Sequence, residues 1–220
     1  MPTRRAVTLV DAVAEDATSA ANASADDALR AQAAMVRALA DESERLHPSD
    51  IRMAAIHMQL GEELERLARL VQTRTPRGDG DGDDAPIDVL LVEDDDDTRR
   101  ATQKLLVTLG YPTRSVGSAE DALVEYGAHP SAIVISDWNL PGQSGLELCM
   151  ALKKRDPQPY VILSTAFQEK ERQLDGMRGG ADDVLLKPTD VGQLEARLLA
   201  ASRLIRAVRA VARLKERLRS

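Results

Sequence analysis

Four short, mainly apolar runs in this 220-residue chain each lead into residues that can do chemistry. Ile87 to Val92 stops at Glu93-Asp94, and Ala132 to Ile135 runs through Ser136 into Asp137. Tyr160 to Leu163 stops at Ser164-Thr165-Ala166, and Val184 to Leu186 stops at Lys187-Pro188. Runs this short and rich in Val, Ile and Leu predict strands buried on both faces of a parallel sheet. The carboxyl ends of such strands are where open α/β sheets bind ligands. An acid pair, a single acid, hydroxyls and an ammonium would meet there, which is the equipment of a site that handles charge. One Asp after one strand would mean little, since a loop Asp usually caps the next helix. Four strand ends of this chemistry, separated by helix-length segments, mean more.

In that order, these strand ends resemble the receiver domains of bacterial response regulators. Ile135-Ser-Asp-Trp-Asn-Leu-Pro and Gly145-Leu-Glu-Leu look especially like the chemotaxis type. The resemblance covers about Pro86 to Ala200. It implies a flavodoxin-like, doubly wound α/β fold with a five-stranded parallel sheet of order 2-1-3-4-5. Strands are expected near 87–92, 113–116, 132–136, 160–164 and 183–186. Helices are expected near 97–109, 118–127, 144–155, 168–178 and from 190 onward.

The resemblance also implies roles. Asp137 is the phosphoacceptor, attacking a phosphohistidine on a partner histidine kinase or phosphotransfer protein. Glu93, Asp94 and Asp137 crowd three negative charges together, which requires a cation. With the backbone carbonyl of Asn139 and waters they make a hard oxygen site suited to Mg²⁺. Lys187 supplies an ammonium to the phosphoryl oxygens and Thr165 a hydroxyl, while Lys187-Pro188 is where the family has a cis peptide. Asp95, Asp96 and Asp97 read as solvated first-turn residues favoured by the helix dipole. Three positions depart from the family pattern. Val184 stands where an aromatic ring often acts as a switch, Phe167 where some relatives carry a polar side chain, and Ser144 where an Asp is common.

The elements around this region separate by composition. Residues 1–75 are Ala- and charge-rich without a strand pattern and are expected to form a helical dimerisation domain. Helices are predicted from Asp26 to about Leu46 and from Asp50 to about Thr73, with a weaker one over Arg5–Ala20. His47-Pro48-Ser49 breaks the first pair, because Pro disfavours helix at the residue before it. Met53, His57, Leu60, Leu64, Leu67 and Val71 recur at coiled-coil spacing. A two-helix hairpin cannot bury such a seam alone, so a dimeric four-helix bundle is expected. Residues 76–86, Gly- and Asp-rich, read as a flexible linker. Asp79-Gly-Asp-Gly-Asp lacks the distal Glu of a calcium loop. The domain map is then 1–75, 76–86, a receiver over 87–200, and a C-terminal extension over 201–220.

Two features admit rival readings. His57 with Gly61 four residues on echoes histidine phosphotransfer domains, although Leu60 stands where those carry Lys. A polar residue on a packing seam is the plainer account, and a phosphorelay transferase using both His57 and Asp137 is the alternative. In the extension, Leu204, Ala207, Val211, Leu214 and Leu218 keep an apolar repeat among seven Lys and Arg residues. A solvated basic face, a stalk or partner-binding helix, and nucleic-acid binding all fit. The last fits least, because no aromatic or base-reading motif accompanies the charge. A further alternative is that the chain is the N-terminal regulatory part of an enzyme such as a diguanylate cyclase, whose receiver often feeds a helix like this one.

Composition bounds the rest. Aromatics make up 2% of the chain, so its cores must be aliphatic, and the net charge of −7 favours neither nucleic acid nor a membrane surface. A single cysteine excludes an intramolecular disulfide and fits a reducing compartment. No signal-peptide core or membrane-length run is present, so a cytoplasmic location without membrane insertion is expected. The output is expected to be association with a downstream protein, not catalysis.

Overall fold

The computed structural model of the chain describes residues 7–8, 10–11, 23–46, 50, 52–72, 86–166 and 180–219. The expected linker (except Pro86), the 168–178 helix, the His47-Pro48-Ser49 break, Phe167 and most of Arg5–Ala20 lie outside them. Residues 7, 8, 10 and 11 are helical. The chain divides into two compact units, one built on Ala85–Arg197 and the other on the N-terminal helices together with Leu198–Ser220. No helix among the described residues is long and apolar enough to cross a membrane.

The first unit is the expected α/β fold. Strands β1 (Val89–Val92), β2 (Thr113–Val116), β3 (Ile133–Asp137), β4 (Tyr160–Thr165) and β5 (Asp183–Leu186) form one parallel sheet of order β2-β1-β3-β4-β5. The register brings the strand ends level: Val92 lies opposite Val116 and Ser136, Asp137 opposite Ser164, and Thr165 opposite Leu186. Helices α3 (Asp96–Thr108), α4 (Ala119–Ala128) and α5 (Gly145–Leu152) connect the strands, following α1 (Ala23–Arg45) and α2 (Arg52–Gln72) of the other unit. The last helix, α6 (Val191–Arg219), begins in the first unit.

Alternation along the strands sets the two faces of the sheet. Leu90, Val92, Val134, Val161, Leu163 and Val184 pack with Ala122, Tyr126, Leu148, Cys149 and Leu152 of α4 and α5. Each fully buried Leu or Val contributes about 1.5–3 kcal/mol, which is how a core with few aromatics holds. Serines and an aspartate start the helices. Asp95 accepts from Thr98 N at 2.7 Å, Ser118 caps α4, and Ser144 forms a reciprocal capping box with Glu147. The departure at Ser144 therefore has a role: it is the N-cap of α5.

The second unit pairs α1 and α2 as antiparallel neighbours, with Gln32 reaching Glu63 and Ser43 reaching His57. Leu29, Ala33, Val36 and Ala40 of α1 are buried, as are Met53, His57, Leu60, Leu64 and Leu67 of α2. So are Leu204, Ala207 and Val211 of α6. Helix α6 comes close to α2 at Gly61, where an added Cβ would stand 2.8 Å from Arg203 Cγ and 3.3 Å from the Arg203 carbonyl carbon. Arg203 pairs with Glu62 at 3.0 Å and Glu65 at 3.5 Å. Two observations stand beside the expected domain map. The seam on α2 does not need a second chain to leave solvent, because its described members are already at most 3% exposed within one. The stretch expected to form a separate 201–220 extension belongs to the same compact unit as α1 and α2. Apolar periodicity identifies a face that must be covered; it does not say from where in the chain the cover comes.

Candidate functional site

The site forms where the strands stop. The Glu93 N–H donates to Val116 O at 3.2 Å as β1 ends, and Trp138 N–H donates to Ser164 O at 2.8 Å as β3 ends. These bonds carry the sheet pairing one residue past the ladders and fix the backbone beneath Glu93 and Asp137. Asp137 is held again from the α5 side. Gly145 N–H donates to Trp138 O at 3.0 Å, and a Cβ on Gly145 would lie 2.0 Å from the Asp137 carbonyl oxygen. Only a glycine lets the helix start so close to the strand end.

The structure brings Glu93, Asp94 and Asp137 together. One carboxylate oxygen from each lies within 4.8 Å of the others, with Glu93 buried and Asp94 exposed. Lys187 Nζ donates to Glu93 Oε2 at 2.7 Å and to Asp137 Oδ2 at 2.5 Å. Asn139 enters through its N–H, which donates to Asp137 Oδ1 at 3.1 Å. Thr165 is buried at the end of β4, and its carbonyl accepts from Lys187 N–H at 2.7 Å. The Lys187–Pro188 peptide is cis. A cavity of about 270 Å³ descends from these groups beside α3, past Leu91, Ile135 and Leu185. The remaining sequence candidate, His57, lies in the other unit. It is 2% exposed, with Nε2 3.1 Å from Ser43 Oγ.

Charge and burial oppose one another here. Burial pushes the Glu93 carboxyl above its usual 4.5, the Lys187 hydrogen bond and charge pull it down, and Asp137 and Asp94 push it up again. Burial pulls Lys187 down, but its bonds to Asp137 and Glu93 outweigh that and hold the ammonium above 10.5. One ammonium against three carboxylates leaves net negative charge. The donor set is hard oxygen throughout and reaches water through Asp94, which fits a small divalent cation of the Mg²⁺ type.

Asp95, Asp96 and Asp97 do not join the cluster: Asp95 caps α3, Asp96 pairs with Arg99, and Asp97 with Arg100 at 2.6 Å. Sequence patterning does not single out Arg99. It reads as one more surface i,i+3 partner, yet its guanidinium also bonds the main chain of the acidic loop.

Residues 89–199 match the family model for the response regulator receiver domain. The response regulator RppA of Synechocystis is 39% identical over 117 residues, covering 52% of this chain and 50% of that protein. The response regulator protein FleR of Pseudomonas aeruginosa is 40% identical over 106 residues, covering 48% of this chain and 22% of that protein. The chain thus spans half the length of the first and less of the second. A crystal structure from Chloroflexus aurantiacus, described as a response regulator, is 28% identical with a TM-score of 0.51, covering 53% of this chain and 98% of that one.

Proposed function

The chain belongs to the response regulator receiver family, and from that premise we propose that Asp137 accepts a phosphoryl group from a phosphohistidine of a partner histidine kinase or phosphotransfer protein. The observation that carries this reading is Lys187, bridging Glu93 and the acceptor carboxylate Asp137 at 2.7 and 2.5 Å beside an acidic cluster.

Phosphoryl transfer asks for positioning and charge neutralisation more than for covalent machinery. An Asp137 oxygen forms a bond to phosphorus as the bond from phosphorus to the imidazole nitrogen breaks, and the freed imidazole takes up a proton. The main chain of Trp138, tied to Ser164 and Gly145, keeps the carboxylate from retreating. The Lys187 ammonium meets the arriving phosphoryl oxygens, exchanging some of its contact with Asp137 for them. Because Lys187 N–H is tied to the Thr165 carbonyl, a shift of one side chain is felt by the segment bearing the other. The Thr165 hydroxyl is the second donor for the new oxygens. Glu93, Asp94, Asp137 and the Asn139 carbonyl would hold Mg²⁺, which when bound neutralises the carboxylates and the phosphoryl group together. With Val184 at the start of β5 in place of a ring, the response passes through Thr165 and Lys187 and their loops to a downstream protein partner.

His57 does not support the phosphorelay alternative as well. A phosphoacceptor nitrogen must meet a partner protein, whereas this ring is buried against Ser43. Gly61, the other half of that motif, has a packing reason to be glycine in the passage of Arg203.

The test is labelling of the full chain with a small phosphodonor and Mg²⁺. One phosphoryl group per chain is expected, and Asp137→Asn is expected to abolish it. Undiminished labelling of Asp137→Asn sinks the assignment.

A further inference from the structure

Arg99 lies in the first turn of α3, and its side chain is 20% exposed. Nη1 donates to Glu93 O at 2.7 Å and to Asp94 O at 3.2 Å, while Nη2 pairs with the Asp96 carboxylate. Behind the guanidinium lies the turn after β2, where a Cβ on Gly117 would stand 3.3 Å from Nη1. One planar cation is thus enclosed between two loops and bonded to successive carbonyls of the two residues whose carboxylates form the acidic cluster with Asp137.

We propose that Arg99 is the positioning residue of the divalent-cation site: it orients the Glu93 and Asp94 carboxylates through their main chain and touches neither the cation nor the phosphoryl group. This rests on the Mg²⁺ reading above.

Two effects of the guanidinium have opposite signs. As a positive charge beside the cluster it repels a divalent cation, so deleting it on electrostatic grounds alone tightens binding. As a clamp it fixes the direction of two donors, and supporting partners of this kind are worth about 10–100-fold in metal affinity. Positioning therefore predicts that deletion weakens binding in spite of the lost repulsion. Lys keeps the charge but has one nitrogen, so it cannot hold the two carbonyls, as Nη1 does, and the Asp96 carboxylate, as Nη2 does, in one geometry. Arg100 is the internal control. It is the next residue with the same charge, its side chain is 68% exposed, and it pairs with Asp97.

The experiment is Mg²⁺ titration of the full-length protein, read by Trp138 fluorescence and by calorimetry, with melting of the metal-free protein measured alongside. In the parent the response is expected to saturate and Asp94→Ala to remove it. Arg99→Met is expected to raise the Mg²⁺ midpoint by about 10-fold or more. Arg99→Lys should fall between it and the parent, and Arg100→Met should stay within about 2-fold of the parent. A midpoint for Arg99→Met at or below the parental one overturns the inference, as does an equal rise in Arg100→Met. A lowered melting temperature with an unchanged midpoint overturns it too, since the residue is then merely structural. If Arg99→Met does not fold, Arg99→Lys decides, and a parental midpoint there is the overturning result. A parent that binds no Mg²⁺ by either readout removes the metal reading itself, a failure distinct from parental binding that Arg99→Met leaves unchanged.

Discussion

Replacing Gly145 with Ala adds one methyl group where β3 meets α5, and the structure sets the size of its effect. The new Cβ falls 2.0 Å from the Asp137 carbonyl oxygen, 2.9 Å from Ser136 Oγ and 3.0 Å from the Asp137 carbonyl carbon, whereas ordinary contact begins near 3.4 Å. Helix propensity pulls the other way, favouring Ala over Gly by at most about 1 kcal/mol. The tightest clash is with the Asp137 carbonyl, a backbone group, so no rotamer relieves it. Strand and helix must part by about 1.4 Å, and overpacking of this kind costs about 1–3 kcal/mol. The net result is destabilisation. At about 2–4 °C per kcal/mol for a chain of this length, a net loss of about 1–2 kcal/mol lowers the melting temperature by about 2–8 °C. Labelling should suffer more than the fold, because the displaced atoms belong to Asp137, the proposed acceptor. A misplacement of about 1 Å is worth on the order of 100-fold in rate. Labelling by a small phosphodonor at saturating Mg²⁺, run at 25 °C where the variant stays folded, should slow by about that factor. A Gly145→Ala protein that melts with the parent and labels within about 2-fold of it would refute the reasoning.

Gly61→Leu should lower the melting temperature by several degrees through the same overpacking, here against Arg203, while phosphodonor labelling of Asp137 stays within about 2-fold. Equal loss of labelling would mean that the two units do not act separately. The Cys149 thiol is buried and burial pushes it up to about 12, so alkylation at pH 8 should proceed only as fast as the protein opens. A burst of native-state labelling would contradict that burial. Hydrogen bonds from the Ser144 backbone and side chain hold the Glu147 carboxyl below its usual 4.5. A carboxylate depressed in the folded state contributes stability above 4.5 that is lost as pH falls through its folded value. Glu147→Gln should therefore narrow the melting-temperature difference between pH 6 and pH 3; an unchanged difference would show that the capping box does not contribute in solution.

The parts of this molecule legible in its sequence are those set by local pattern. The strands fall within two residues of expectation because short runs of Val, Ile and Leu, buried on both faces, have few other homes, and their ends carry the charged residues. Helix starts at Asp95, Ser118 and Ser144 follow from capping chemistry. What pattern does not carry is the partner at a distance. The stripe on α2 reads equally well as an interface between chains or as a face packed within one chain, where Met53 and His57 lie against Ser43 of α1. Nothing in the sequence marks Asp182 and Asp183 as buried. Both are buried, and each is paired with a cation from another element, Lys153 and Arg197 respectively. Arg99 was hidden for the same reason, since its bonds are to carbonyls, which no sequence displays.

The helical unit is assembled from segments on either side of the receiver, and this bears on how the protein is made. A ribosome delivers α1 and α2 before the receiver, and residues 198–219 only after it. At about 5–20 residues per second, the stretch between Gln72 and Leu198 takes on the order of ten seconds. Throughout that interval the surface of α2 around Met58, Gly61 and Glu62 awaits Arg203, while the receiver, contiguous in the chain, can already fold. The nascent protein thus passes through a stage in which its receiver domain is complete and its helical unit is not. Any cellular factor that guards exposed apolar helices during synthesis has its opportunity then, and a stalled chain ending near residue 197 would remain at that stage.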